Sequence, residues 1–259
     1  MLRLSTGLYG LTLAITPLFF VGCQKTTDPA LPTTPAITNL GTGVPAVYQK
    51  LYGATDIYLE GTTVVIKTNG RPDHKSPYYK GTQWESTRYE AYTGANTQYM
   101  TNPNKISELR LTFKLPLNPV VDPAHTETPL GAIGVSLNGV AFFNQYAAQR
   151  APLTVEVNGF DQYNGHPQQQ GQYHYHVEPT YLTQTKGKDA LLGFLLDGFP
   201  VYGPTEKGKT ITTADLDKYH GHVGVTTDYP DGMYHYHITA EDPYLNGNGF
   251  YGKPGTVTQ

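Results

Sequence analysis

The tetrapeptide Tyr-His-Tyr-His stands twice in this chain, at Tyr173-His174-Tyr175-His176 and at Tyr234-His235-Tyr236-His237, and these eight residues hold four of its nine histidines. In an extended strand, alternate residues point to one face, so each tetrapeptide presents two imidazoles on one side and two tyrosines on the other. Two convergent imidazoles are the start of a metal site. The repeat is longer than four residues. Asp161-Gln-Tyr163-Asn-Gly165-His166 precedes the first copy and Asp217-Lys-Tyr219-His-Gly221-His222 the second, each followed by a spacer and then Gly-x-Tyr-His-Tyr-His. Each cassette therefore offers a trio: His166, His174 and His176 in one, His222, His235 and His237 in the other. Three imidazoles with one coordination position left open suit zinc and copper alike.

Asp161 and Asp217, five residues before the third histidine of each trio, are expected to accept ring N–H groups and so fix the imidazole tautomers. Tyr173, Tyr175, Tyr234 and Tyr236 are expected to be core and sheet residues, since aromatics favour half-buried strands. His74, in the turn-like Asn69-Gly-Arg-Pro-Asp-His74 stretch, is expected to be a solvated loop histidine, with reach to a site at the end of a sheet as the alternative, and His125 is left unassigned.

The elements that must position these residues read as strands at 57–67, 106–115, 133–143, 153–157, 172–177, 191–196 and 233–239. Leu191-Leu-Gly-Phe-Leu-Leu196 is an unbroken apolar run ended by the turn dipeptide Asp197-Gly198. With 28 Gly and 20 Pro breaking any long helical period, short helical pieces are expected only near 145–149 and 213–218. The fold class is mainly β, an antiparallel sandwich or distorted barrel with short helices, forming a single domain over residues 46–259. If the repeat reflects pseudo-symmetry, the two histidine strands are expected near one another.

The first 22 residues read as an export signal, with Arg3, an apolar run from Leu8 to Val21, and Pro17 interrupting it. Phe20-Val21-Gly22-Cys23 resembles the lipobox of bacterial lipoproteins, which implies cleavage before Cys23 and its lipidation; Gln24 implies sorting to the outer membrane. Residues 23–45, rich in Thr, Pro and Ala, read as a tether from that lipid anchor. Cys23 is the only cysteine, which excludes an internal disulfide, cysteine-ligated zinc and iron–sulfur clusters. A net charge of −3 without a basic stripe argues against nucleic acid as a partner. Asn246-Gly-Asn-Gly-Phe-Tyr-Gly252 lacks the Lys-Ser/Thr of a phosphate loop and reads as turns.

Beyond the tetrapeptide, Asn69-Gly-Arg-Pro-Asp-His74, Gly134-Val-Ser-Leu-Asn-Gly139, Asp197-Gly-Phe-Pro-Val-Tyr-Gly203, Asp215-Leu-Asp-Lys-Tyr-His-Gly-His222 and Asp242-Pro-Tyr resemble, in order, the signature segments of the YHYH domain family of exported bacterial proteins. The resemblance covers the chain from about residue 60 onward and implies homology rather than a particular chemistry; it also implies that His237 is less general than its counterpart His176. The leading expectation is an extracytoplasmic, envelope-anchored protein binding copper or zinc through the six histidines, as two sites or as one dinuclear site. A second reading adds hydrolysis by a metal-activated water, with Asp161, Asp217, Asp197 or Glu178 as general acid or base. A third is a surface module without metal, whose 21 tyrosines bind a glycan or a protein partner.

Overall fold

The structure, a computed structural model, describes residues 1–2, 37, 39–247 and 249–259. The export signal and Cys23 lie outside the described residues, as does most of the tether. Two compact units are distinguished, Met1–Leu31 and Pro32–Gln259; the second carries everything that follows.

Pro32–Gln259 is mainly β. It begins with β1 (Asn39–Leu40), β2 (Ala54–Glu60), β3 (Thr63–Thr68), the one-turn helix α1 (Glu85–Arg88) and β4 (Leu111–Pro116). The next stretch is β5 (Ala132–Ser136), β6 (Ala141–Phe143), β7 (Gly165–Pro167) and β8 (Tyr173–Tyr175), followed by helix α2 (Thr180–Lys186). After it come β9 (Leu191–Leu195), β10 (Pro200–Tyr202), β11 (Thr205–Glu206), β12 (Lys209–Thr210), β13 (Gly221–Gly224), β14 (Met233–His237) and β15 (Thr256–Thr258). Five strands form one sheet in the order β1-β2-β3-β4-β15, and eight form a second in the order β13-β14-β10-β9-β5-β6-β8-β7; β11 and β12 make a separate hairpin. One apolar core joins the two larger sheets, with Ile57, Ile66 and Phe113 from the first and Val135, Phe142 and Phe194 from the second fully buried in it. Neither sheet closes into a barrel.

The sheets are mixed, not purely antiparallel as expected. β1 runs parallel to β2, β6 to β8 and β10 to β14. The reason lies in chain length: a long connection separates β6 from β8, and another β10 from β14, room enough for the crossover that parallel neighbours need. Two expected single strands are hairpins. Residues 57–67 turn at Gly61 (φ 59°) and residues 133–143 turn at Gly139 (φ 81°), left-handed conformations that favour glycine. Residues 153–157 are not a strand. Their C-terminal end begins a short 3-10 helix, Glu156–Gly159, and the helical expectations near 145–149 and 213–218 reduce to 3-10 turns at Ala148–Arg150 and Thr213–Asp215.

The eight-stranded sheet is an internal duplication. β5-turn-β6 and β9-turn-β10 pair in the same way, Gly134 with Phe142 and Gly193 with Val201, with a register shift in each hairpin. Phe142 then neighbours Tyr175 across a parallel pair, and Val201 neighbours Tyr236. Where the halves meet, β5 and β9 run antiparallel with Val135 opposite Phe194, Gly134 opposite Leu195 and Ser136 opposite Gly193. Exchanging the halves leaves that register unchanged, so a local two-fold axis passes through the Val135–Phe194 pair. The pseudo-symmetry thus exists, but it places β8 and β14 towards opposite edges of the sheet. They are five strand spacings apart, roughly 24 Å at about 4.8 Å per spacing.

Two candidate metal centres

In each half the histidine trio is assembled by a β-hairpin. β7 pairs antiparallel with β8 so that His166 faces His174, and β13 pairs with β14 so that His222 faces His235. His176 and His237 follow two residues further along the same face. The glycine before each third histidine has a steric reason: a Cβ on Gly165 would run into the Tyr173 ring, and one on Gly221 into the Tyr234 ring.

The first cluster brings ligand atoms of Glu156, His166, His174 and His176 within 4.8 Å of one another. The three histidines are buried. His174 Nδ1 lies 3.0 Å from Gln172 O and His176 Nδ1 2.5 Å from Asn144 O. A carbonyl only accepts, so both Nδ1 atoms carry the proton and both Nε2 atoms point lone pairs into the cluster. Those Nε2 atoms stand 3.0 Å apart. Burial, then the adjacent histidines, push His174 well below the usual imidazole range. Burial and then His166 bring His176 down to about 4. A proton is therefore a poor bridge between the two lone pairs, and a cation is a good one. Glu156 Oε1 lies 3.2 Å from His166 Nε2 and 4.0 Å from His176 Nε2. Burial opposes its charge, but His166 and His176 outweigh it and hold the carboxyl below its usual range. Phe143 stacks on His174 and Phe160 on His176, closing the cluster with apolar rings.

The second cluster holds His222, His235 and His237, again with ligand atoms within 4.8 Å. His235 Nδ1 and His237 Nδ1 donate to Met233 O (3.0 Å) and Gly203 O (2.8 Å). His222 Nε2 lies 3.0 Å from His235 Nε2 and 3.5 Å from Glu206 Oε2. His237 Nε2 is buried without a hydrogen-bond partner. Burial brings His237 down to about 4, helped by His235 and His222 and opposed by the Gly203 carbonyl. Asn144 O and Gly203 O are symmetry counterparts, so the same main-chain acceptor fixes the last histidine in both halves.

The expectation that Asp161 and Asp217 fix the imidazoles is corrected: main-chain carbonyls do that in the four strand histidines. Asp161 Oδ2 accepts from Ser76 Oγ (2.6 Å) and Tyr173 Oη (2.8 Å), while Oδ1 accepts the Tyr163 N–H. Asp217 Oδ1 likewise accepts from Tyr234 Oη (2.9 Å) and the Tyr219 N–H. Each aspartate ties the turn before the third histidine to the first tyrosine of its tetrapeptide. The tyrosines are core residues: Tyr175 Oη accepts from Asn138 Nδ2 (3.1 Å) and its counterpart Tyr236 Oη donates to Asp197 Oδ2 (2.6 Å). Asp197 and Glu178 are also committed elsewhere, Asp197 to Tyr236 and the Gly252 N–H, Glu178 to Thr183 and Lys188. None of the four expected general acids or bases faces a cluster; Glu156 and Glu206 do. Sequence reasoning missed both, because neither belongs to the repeat. Glu156 comes from a 3-10 turn and Glu206 from the β11–β12 hairpin, elements of different type inserted at the same point of each half.

His74 is buried, not a solvated loop residue, with Nδ1 2.9 Å from Lys75 O and Nε2 3.1 Å from Tyr175 Oη. His125 stacks on Tyr219. Among the described tyrosines only Tyr89 is exposed; others, such as Tyr92 and Tyr99, which stack on each other, are half-buried.

Each cluster borders a cavity. A space of ≈540 Å³ beside Glu156, His174 and His176 is walled largely by apolar groups, among them Leu111, Leu130 and Phe143. Another of ≈900 Å³ beside His235 and His237 is lined by Lys50, Lys186 and Lys207.

No curated protein and no solved structure is significantly similar to the chain. A family model, described as YHYH protein, matches residues 112–213 and 205–249. That span runs from β4 to the loop after β14 and contains both clusters and the two-fold axis between them. It covers more than half of the chain, and the protein belongs to the YHYH family.

Proposed function

We propose that this is a metal-binding protein of the cell envelope, holding one zinc or copper ion in each half of its duplicated sheet. The observation that carries the reading is the pair of Nε2 atoms on His174 and His176, 3.0 Å apart with both Nδ1 protons directed to carbonyls. Two buried lone pairs facing each other cost energy unless a cation lies between them. His166 and Glu156 complete a donor set of three imidazoles and one carboxylate, and His222, His235 and His237, with Glu206 beside them, repeat it. Imidazole donors suit zinc and copper. Envelope placement rests on the lipobox-like Phe20-Val21-Gly22-Cys23, through which the domain is lipid-anchored to a membrane, the outer membrane by the residue that follows.

Isothermal titration with zinc and with copper(II), comparing the native protein with a His174→Ala/His176→Ala variant, tests the metal reading. One binding event is lost in the variant; equal binding by both overturns the proposal. Labelling cells with a fatty-acid analogue tests the anchor: label is incorporated by the native chain and not by Cys23→Ala.

A second reading, metal-dependent hydrolysis, is favoured by one observation: in the first cluster the carboxylate of Glu156 lines a cavity large enough for a small substrate. In that reading Glu156 is the general base and the three imidazoles alone hold the metal, so it predicts metal-dependent turnover of an ester or phosphate substrate that Glu156→Gln abolishes with metal content unchanged; loss of metal in that variant would instead make Glu156 a ligand.

A further inference from the structure

The two halves share a frame, yet the cavities beside their clusters differ in chemistry. Among the described residues, no lysine or arginine lines the cavity of the first cluster. Three lysines, Lys50, Lys186 and Lys207, line that of the second together with Asp189 and Asp228. Asp228 is already committed, to Lys50 through one oxygen and to Tyr202 Oη (3.0 Å) through the other. Lys186 lies over the Tyr52 ring, 4.7 Å from its centroid. Lys207 Nζ lies 3.4 Å from Glu206 Oε1, and Glu206 Oε2 is the oxygen 3.5 Å from His222 Nε2. A lysine is therefore held against the one carboxylate beside this cluster. With a divalent ion in the cluster, positive charge accumulates at one end of the cavity, and an anionic ligand is the group that relieves it.

We infer that the second cavity binds a small molecule bearing a phosphate group, the phosphate lying between the His222, His235 and His237 cluster and the ammonium groups of Lys186 and Lys207. This rests on the metal reading of that cluster. Phosphate is favoured over carboxylate because all the basic groups are lysines. Lysine binds phosphate as a compact point charge, whereas planar bidentate capture of a carboxylate is the work of arginine, which is absent from the lining among the described residues. A volume of ≈900 Å³ leaves room for an organic body behind the phosphate.

The test uses purified protein loaded with cobalt(II), its metal content measured, and follows the phosphorus resonance of inorganic phosphate as protein is added. The native protein and Lys186→Gln/Lys207→Gln are compared, both side chains being exposed so that the fold is retained. Saturable paramagnetic broadening is expected with the native protein, and binding about ten-fold weaker in the lysine variant. Broadening should persist in His174→Ala/His176→Ala, which leaves the second cluster intact. Acetate followed by its proton resonance should bind more weakly than phosphate. Cobalt bound at the second cluster without saturable broadening, phosphate affinity unchanged in the lysine variant, or acetate bound as tightly as phosphate would each overturn the inference while leaving the metal reading in place. Failure of His222, His235 and His237 to take up cobalt overturns both.

Discussion

His176 and His237 hold the same post in the two halves of the sheet, each donating its Nδ1 proton to the main-chain carbonyl just beyond the second hairpin strand, Asn144 O in one half and Gly203 O in the other. That contact fixes which nitrogen faces the cluster, and its recurrence on two non-identical residues shows that backbone geometry, not a side chain, sets the tautomer. The site is thus a property of the duplicated sheet.

Lowered imidazole pKa values make the metal-free protein sensitive to acid. His176, His220 and His237 are each brought to about 4 in the folded state, burial being the leading cause, against about 6.5 unfolded. Between those values the unfolded chain binds more protons, so stability falls as pH falls. Asp197, raised to about 6 by burial, acts in the opposite sense. From pH 7 to pH 5 each histidine costs about 2 kcal/mol and the aspartate returns about 1.4 kcal/mol, so the histidines prevail. Urea unfolding in the presence of EDTA should show a clearly lower midpoint at pH 5 than at pH 7; an equal or higher midpoint at pH 5 contradicts this balance.

Metal should stabilise the fold. An ion present at a hundred times its dissociation constant adds about 2.7 kcal/mol per site, and two separated sites add independently. Thermal unfolding should shift upward with zinc, reverse with EDTA, and shift about half as far in His235→Ala/His237→Ala. A full-sized shift in that variant would show that the second cluster takes no part.

Replacing Asp161 by Asn should weaken folding more than metal binding. Its buried carboxylate accepts from Ser76 and Tyr173 at Oδ2 and from the Tyr163 N–H at Oδ1, and an amide, with a single oxygen, cannot accept on both sides. A loss of about 1–3 kcal/mol is expected, read from denaturant midpoints, with zinc affinity changed much less than in His174→Ala. The reverse ranking would return Asp161 to the role of imidazole partner.

Gly165→Ala forces a Cβ into the Tyr173 ring, whose hydroxyl is anchored on Asp161. The ring has nowhere to go, so overpacking of about 1–3 kcal/mol is expected, with His166 displaced and the first cluster's metal affinity reduced. Gly61→Ala is the control: no atom lies near its Cβ, so only the backbone strain of its turn is expected and zinc affinity should be unchanged.

The histidine trios were legible because their spacing survives as a written repeat, and alternation along a strand puts ligands and core tyrosines on opposite faces. The larger duplication was not, because its first half is spelled in apolar residues that substitute freely. Ile133-Gly-Val-Ser-Leu-Asn-Gly139 and Leu192-Gly-Phe-Leu-Leu-Asp-Gly198 share only Gly, Leu, Gly and the Asn/Asp pair. The shared Gly-x-x-Leu-Asn/Asp-Gly was the available signal, and it also marked residues 133–143 as a hairpin. Proximity of the two histidine strands failed for a topological reason: the symmetry axis runs through the inner strands, so each half's last hairpin is driven to an edge. Glu156 and Glu206 were invisible because each comes from an insertion with no counterpart in the other half.

The central claim is that each half holds its own ion. Anomalous scattering from crystals of the zinc- or copper-loaded protein locates the ions directly. The account predicts two peaks, one among His166, His174, His176 and Glu156 and the other among His222, His235 and His237, separated by five to six strand spacings, roughly 24–29 Å, since each ion lies at an edge hairpin of the sheet. A single shared ion, or no metal at either cluster, would contradict it.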